Sequence, residues 1–240
     1  MGIWGKKPEP KKSDFYKGES IFQILYNSTF GKVRTVLTDL FDSKDTKQYI
    51  LPKVIVIGDE STGKSSLLEN ITKCQIFPRN SKICTKCPIK LKLNNGESRY
   101  IINHDGKDFN FKDKNEIYPK LCEIMEAIPE NTILEQEITV TIEDPSLPTF
   151  EFYDLPGLRT YPEEAATKTK ELCRKYLSDP NSIVLCVVPA TTPRLTSCES
   201  IALVLEAKKQ TNCILALTMV DRLQPEYIED HLIKRIILLN

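Results

Sequence analysis

Residues 58–65 read Gly-Asp-Glu-Ser-Thr-Gly-Lys-Ser, a full match to G-x-x-x-x-G-K-[ST]. In this spacing the loop turns several backbone N–H groups toward one anion, and glycines supply the backbone angles the turn needs. A helix starting directly behind the loop adds a partial positive charge at its N-terminus. Lys64 is the residue type and position that reaches β- and γ-phosphates, and the Ser65 hydroxyl is a ligand for Mg²⁺. Gly58, Asp59, Glu60, Ser61, Thr62, Gly63, Lys64, Ser65 and Ser66 are therefore the candidate phosphate-binding residues. A second constellation is Asp154-Leu155-Pro156-Gly157. Alone it reads as a β-turn with Pro156 setting the angle. At the end of a core strand and downstream of a phosphate loop, Asp154 becomes a candidate Mg²⁺ holder, usually through water. The Gly157 N–H is then placed to sense a γ-phosphate.

Such residues need a strand, loop and helix to hold them, and the sequence around them reads that way. Pro52-Lys53-Val54-Ile55-Val56-Ile57 is a short β-branched run that leads directly into Gly58, and Ser65-Ser66-Leu67-Leu68 opens a helix. The later chain alternates as an α/β fold should. Strands are expected at 89–93, 138–142, 150–153, 183–188 and 214–217, and helices at 114–128, 163–177, 198–208 and 228–239. A hairpin is expected over 100–111 around Asp105-Gly106. Upstream, residues 1–18 are rich in Lys, Pro and Glu and read as a disordered leader. Apolar residues recur at helical spacing from Glu19 to Leu40, so 19–50 reads as an N-terminal helical segment ahead of a domain over 51–240.

Composition excludes several functions. The 240 residues carry 33 basic and 33 acidic side chains, a balance that argues against nucleic acid as a partner. The apolar runs fall far short of the ~20 residues of a membrane span. The start, Met1-Gly2-Ile3-Trp4-Gly5-Lys6-Lys7, lacks a secretory pattern, and Lys6 stands where a myristoylation signal wants Ser or Thr. The eight cysteines show no disulfide framework, so a reducing, cytoplasmic setting is expected. Cys84-Thr85-Lys86-Cys87 has no second cysteine pair at metal-ligand spacing, which disfavours zinc.

Four segments together, GDESTGKSSLLENI, FPRNSKICTKCPIKLKL, FYDLPGL and SIVLCVVPA, resemble the dynamin superfamily, the Mx-type proteins closely. The resemblance implies a P-loop NTPase fold, three-layer α/β/α with a mainly parallel central sheet, binding GTP or GDP with Mg²⁺ and hydrolysing GTP. It puts Pro78-Arg79 and Thr85 on switch I, with Thr85 binding Mg²⁺ beside Ser65 and Asp154 and orienting the attacking water. Asp154, Leu155, Pro156 and Gly157 fall on switch II. Lys64, Thr85, Glu60 and Gly157 are the implied catalytic set. Thr218-Met219-Val220-Asp221 stands where the family has its base-reading [NT]-K-x-D. There the Asp221 carboxylate can accept hydrogen bonds from guanine N1–H and the 2-amino group, which adenine lacks. The competing reading is that Asp221 caps the next turn.

Three departures bear on function. Met219 replaces the lysine that stacks on the base, and Glu60 replaces a glutamine that helps orient water. Glutamate loses the amide donor and adds negative charge near the γ-phosphate, so slow hydrolysis is expected. The sequence also ends at Asn240, where the resemblance implies a further strand, a helix and a helical stalk. The expectation is a head lacking its last strand and helix: either a split or truncated product, or a fold completed by a homodimer across the nucleotide face or by a dynamin-like partner supplying helices, with only indirect membrane contact. The alternative to a GTPase is a nucleotide-binding module, weakly active or inactive, that associates with a fuller relative.

Overall fold

The computed structural model describes residues 53–72, 74–78, 85–147 and 149–223. The leader expected over 1–18, the helical segment over 19–50, Arg79, Cys84 and the helix expected over 228–239 lie outside those residues. Within them the elements follow the expected alternation: β1 (Val54–Ile57), α1 (Lys64–Thr72), β2 (Ile89–Asn94), β3 (Arg99–His104), β4 (Lys107–Phe111), α2 (Ile117–Ala127), β5 (Ile138–Glu143), β6 (Phe150–Asp154), α3 (Glu163–Leu177), β7 (Ile183–Pro189), α4 (Glu199–Glu206) and β8 (Cys213–Thr218).

Local chemistry explains several boundaries. Asp105 and Gly106 both take positive φ, 53° and 71°, as a two-residue Asp-Gly hairpin turn requires. Before α2, the Asp113 carboxylate accepts from Asn115 N–H at 2.9 Å, and Glu116 accepts from Asp113 N–H at 3.0 Å. This reciprocal pair satisfies donors that the start of a helix leaves unbonded. In α3, Glu163 and Glu164 sit in the first turn and Arg174 and Lys175 in the last, so charge complements the helix dipole at both ends.

All eight strands form one sheet in the order β4-β3-β5-β2-β6-β1-β7-β8. It is mixed. The pairs β1–β6, β1–β7, β2–β5 and β7–β8 are parallel, and β2–β6, β3–β4 and β3–β5 are antiparallel. The parallel half carries the phosphate loop, and the antiparallel pairings extend the sheet on the other side. Ile55 and Ile57 of β1 join Val184, Cys186 and Val188 of β7 in a core with Cys173 and Leu177 of α3 and Ile201 and Val204 of α4. Val56, which points to the opposite face, is equally buried. Both faces of the central strands are therefore covered, as a parallel β-branched run demands. Among the described residues no helix is long and apolar enough to cross a membrane.

Candidate functional site

The topology decides which residues meet. Because β1, β6, β7 and β8 run parallel, their C-terminal ends share one rim of the sheet. On that rim stand Gly58 after β1, Asp154 at the end of β6, and Thr218 at the end of β8. β1 is followed in sequence by elements on both of its sides, so the crevice beside it is a topological switch point, where α/β sheets bind ligands. β2 runs the other way, with Ile89 opposite Asp154, so the chain entering β2 is delivered to the same rim. That chain carries Thr85.

A cleft of about 340 Å³ lies there, lined by Glu60, Ser61, Gly63, Lys64, Ser65, Ser66, Pro78, Thr85, Gly157 and Met219. Four of the expected segments thus contribute: the loop after β1, the segment before β2, the turn after β6 and the turn after β8. The loop's curvature uses Ser61 at φ 58° and Gly63 at φ 87°. Both lie in the left-handed region, which glycine adopts freely and a residue with a side chain such as Ser61 adopts at a cost. Lys64 is almost wholly buried, and its Nζ donates to the carbonyls of Gly58 and Asp59, each at 3.0 Å. Burial lowers its pKa, opposed by the negative charges of Asp154, Asp59 and Glu60.

Asp154 is fully buried. Its Oδ2 accepts from the Ser65 hydroxyl at 3.2 Å and from the Thr85 hydroxyl at 3.4 Å. Its Oδ1 is buried with no hydrogen-bond partner among the described residues. Burial pushes the carboxyl up to about 6, against the pull of Lys64, Ser65 and Thr85. A buried carboxylate with an unpaired oxygen and two converging hydroxyls is a donor set suited to a hard divalent cation such as Mg²⁺, which takes few protein ligands and fills its shell with water and phosphate oxygens. No cluster of three His, Cys, Asp or Glu side chains suited to a metal exists among the described residues.

Other expected residues have structural tasks. The Asp59 side chain leaves the cleft and accepts the Ser200 N–H at 3.0 Å, capping the start of α4. Thr62 donates its hydroxyl to the Asp59 carbonyl at 2.9 Å. Leu155 is buried in the core cluster of α3 and β7, and the Leu155 N–H donates to the Val56 carbonyl at 3.3 Å, joining the turn to β1; Pro156 is likewise buried. Thr218 donates to the Thr62 carbonyl at 2.6 Å, tying the end of β8 to the phosphate loop. Met219, at φ 54°, lines the cleft. Val220 is half-buried, while Asp221 is exposed on the short 3-10 turn 220–222 and is not among the cleft-lining residues.

Three features escaped the sequence reading: the Asp59 cap, the Thr218 clamp, and Arg159. The guanidinium of Arg159 lies 2.6 Å from the Glu60 carboxylate. The negative charge expected beside the phosphate loop therefore has a paired cation. An arginine two residues after Gly157 was a visible signal, but only the fold shows what it pairs with.

The family profile described as Dynamin family matches residues 54–220, well over half of the chain. The chain is 32% identical over 204 residues to the dynamin-like GTPase MGM1, mitochondrial, of Saccharomyces cerevisiae, covering 81% of this chain and 23% of that protein. It is 35% identical over 181 residues to the interferon-induced GTP-binding protein Mx of Dicentrarchus labrax, covering 69% and 28%. It is 31% identical over 170 residues to the dynamin-like GTPase OPA1, mitochondrial, of Homo sapiens, covering 66% and 18%. The chain thus spans less than a third of the length of these relatives. With the phosphate loop, the Asp154 turn and Thr85 gathered on one rim of a P-loop α/β sheet, and the profile running from β1 to the turn after β8, this chain belongs to the dynamin family.

Proposed function

We propose that the chain binds GTP with Mg²⁺ and hydrolyses it to GDP and phosphate. The observation that carries this reading is the convergence of the Ser65 and Thr85 hydroxyls on a buried Asp154 carboxylate whose second oxygen is unpaired. Such a carboxylate is costly to bury charged, and a cation would relieve that cost. Mg²⁺, when bound, supplies neutralisation of charge on the phosphates.

The chain's own residues would do the rest. The N–H groups of the loop from Glu60 to Ser66 bind the phosphates, and Lys64 turns its ammonium from the two loop carbonyls to the β- and γ-oxygens. Ser65, Thr85 and Asp154 would hold the cation, which would offset the charge of the buried carboxylate. Thr85 and Glu60 orient the attacking water, and the Gly157 N–H contacts the terminal phosphate. At the other end, Met219 packs an apolar thioether on the base, and Asp221 reads guanine within the stretch Thr218–Asp221. Turnover is slow because Glu60 has no amide donor for the water. The reading includes pairing of two copies through the cleft face, as a means of completing the site.

The test is Mg²⁺-dependent nucleotide binding and phosphate release by wild type and Lys64→Ala, in GTP and in ATP. Release that depends on Lys64 and favours GTP is expected. Release favouring ATP removes the guanine assignment. Lys64-dependent binding with no release supports the second reading, a nucleotide-binding module, to which the glutamate at position 60 already points.

A further inference from the structure

Glu60 and Arg159 belong to segments far apart in sequence, and the backbone brings them together. Asp59 and Leu158 form a parallel bridge. Leu158 N–H donates to the Gly58 carbonyl at 3.1 Å, and Glu60 N–H donates to the Leu158 carbonyl at 2.9 Å. The phosphate loop and the turn after β6 are thus stitched side by side, and the next residue on each strand presents its side chain to the other. Arg159 Nη2 lies 2.6 Å from Glu60 Oε1. The Arg159 side chain is only 11% exposed, and its Nε is buried without a hydrogen-bond partner among the described residues. A guanidinium this far from water needs a counter-charge to stay there, and Glu60 supplies it.

Glu60 brings the pair to the cleft, whereas Arg159 is not among the lining residues. Glu60 and Gly157 both line it, and an ideal Cβ on Gly157 would come within 2.9 Å of Glu60 Cγ and 3.1 Å of Lys64 Nζ. The carboxylate therefore stands beside the same backbone and the same ammonium that are assigned to the terminal phosphate.

We infer that Arg159 is a positioning residue for recognition of a nucleoside triphosphate over a diphosphate: it neutralises Glu60 and pins it between the phosphate loop and the turn after β6. This rests on the nucleotide-binding reading given above. An acidic residue is tolerated at position 60 because the pair is neutral as a unit. Removing either partner leaves an uncompensated charge of known sign, at the cleft lining for Glu60 or one ion-pair contact beyond it for Arg159, that acts on the phosphate distinguishing GTP from GDP. Arg159→Ala leaves a carboxylate that repels it, and Glu60→Gln leaves a guanidinium that attracts it. A merely structural role for the salt bridge would shift both variants the same way, or neither.

The experiment measures dissociation constants for GDP and for a slowly hydrolysed GTP analogue, with Mg²⁺, in wild type, Arg159→Ala, Glu60→Gln and the double variant. A unit charge several ångströms from a phosphate carrying about two negative charges, in a solvent-screened cleft, changes the ratio of the two constants about tenfold. Arg159→Ala is expected to shift preference about tenfold toward GDP, and Glu60→Gln about tenfold toward the triphosphate. The double variant is expected within about threefold of wild type. Arg159→Lys, which keeps the charge and loses the planar fork, recovers most of the ratio. Both single variants shifting in one direction, or a double variant as altered as Arg159→Ala, overturns the inference. If Arg159→Ala does not fold, Glu60→Gln decides: an unchanged ratio overturns it. A wild type that binds neither nucleotide overturns the nucleotide-binding reading itself, whereas normal wild-type binding with flat ratios overturns only the role of Arg159.

Discussion

Replacing Gly157 by alanine tests whether the turn after β6 must touch the phosphate loop as closely as it does. A Cβ there would lie 2.9 Å from Glu60 Cγ, 3.0 Å from Glu60 Cα and 3.1 Å from Lys64 Nζ, whereas ordinary van der Waals contact begins at 3.4 Å. The Glu60 Cγ and the Lys64 ammonium can swing away. The Glu60 Cα cannot, because its backbone is held by the 2.9 Å hydrogen bond to Leu158 and by the Asp59–Leu158 bridge. The two segments must part by roughly 0.4 Å, an overpacking cost on the order of 1–3 kcal/mol. Gly157 is not in a left-handed conformation, so the effect is one of space. A displacement of this size among phosphate-binding groups is expected to lower the hydrolysis rate by roughly fivefold to tenfold, since about 1 Å of misplacement costs about a hundredfold. Single-turnover GTP hydrolysis at saturating enzyme reads the chemical step, and thermal unfolding reports the packing cost. Gly96→Ala is the control, because its Cβ meets only Glu143 Cβ at 3.9 Å. If Gly157→Ala hydrolyses within twofold of wild type and melts at the same temperature, the close packing of the two segments has no functional weight.

Three further outcomes follow from single contacts. Thr218→Val removes the 2.6 Å hydrogen bond to the Thr62 carbonyl; a loss of about 1 kcal/mol of stability and weaker GDP binding are expected in urea titration and equilibrium binding, and unchanged binding would deny the clamp a role in shaping the loop. Asp59→Ala removes the cap on Ser200 N–H and should cost about 0.5–2 kcal/mol, with Asp59→Asn keeping most of it; an alanine variant as stable as wild type would refute the cap. Burial pushes the Cys173 thiol up to about 12. In the native protein it should resist alkylation at pH 8. The unfolded chain ionises this thiol first as pH rises above about 9, so its contribution to stability is intact below that pH. The contribution falls by about 1.4 kcal/mol per unit as pH climbs from there toward 12. Rapid native labelling of Cys173, or an alkaline slope unchanged in Cys173→Ala, would contradict this.

The elements were legible wherever one local cause dominated. The Asp105-Gly106 hairpin, the β-branched run of β1 and the amphipathic α3 came out as expected because turn chemistry, burial on both faces and helical period are properties of short windows. The sheet's mixed character was not local. β2 pairs parallel to β5 on one side and antiparallel to β6 on the other, and nothing within Ile89–Asn94 distinguishes those neighbours.

The same division holds at the site. Residue types and spacing marked Gly58 to Ser65 as a candidate phosphate loop, because an anion-binding loop needs its glycines, lysine and hydroxyl at fixed offsets, and only beside that loop did the Asp154–Gly157 turn become a candidate as well. That Thr85 reaches Asp154 depends on the register of β2 against β6, and that Arg159 meets Glu60 depends on the bridge between Asp59 and Leu158. Thr218 on Thr62 and Asp59 on Ser200 are likewise contacts between segments distant in the chain. Sequence fixes which groups are available for charge and hydrogen bonding. Pairing between distant strands fixes which of them share a cleft, and hence which charges cancel there.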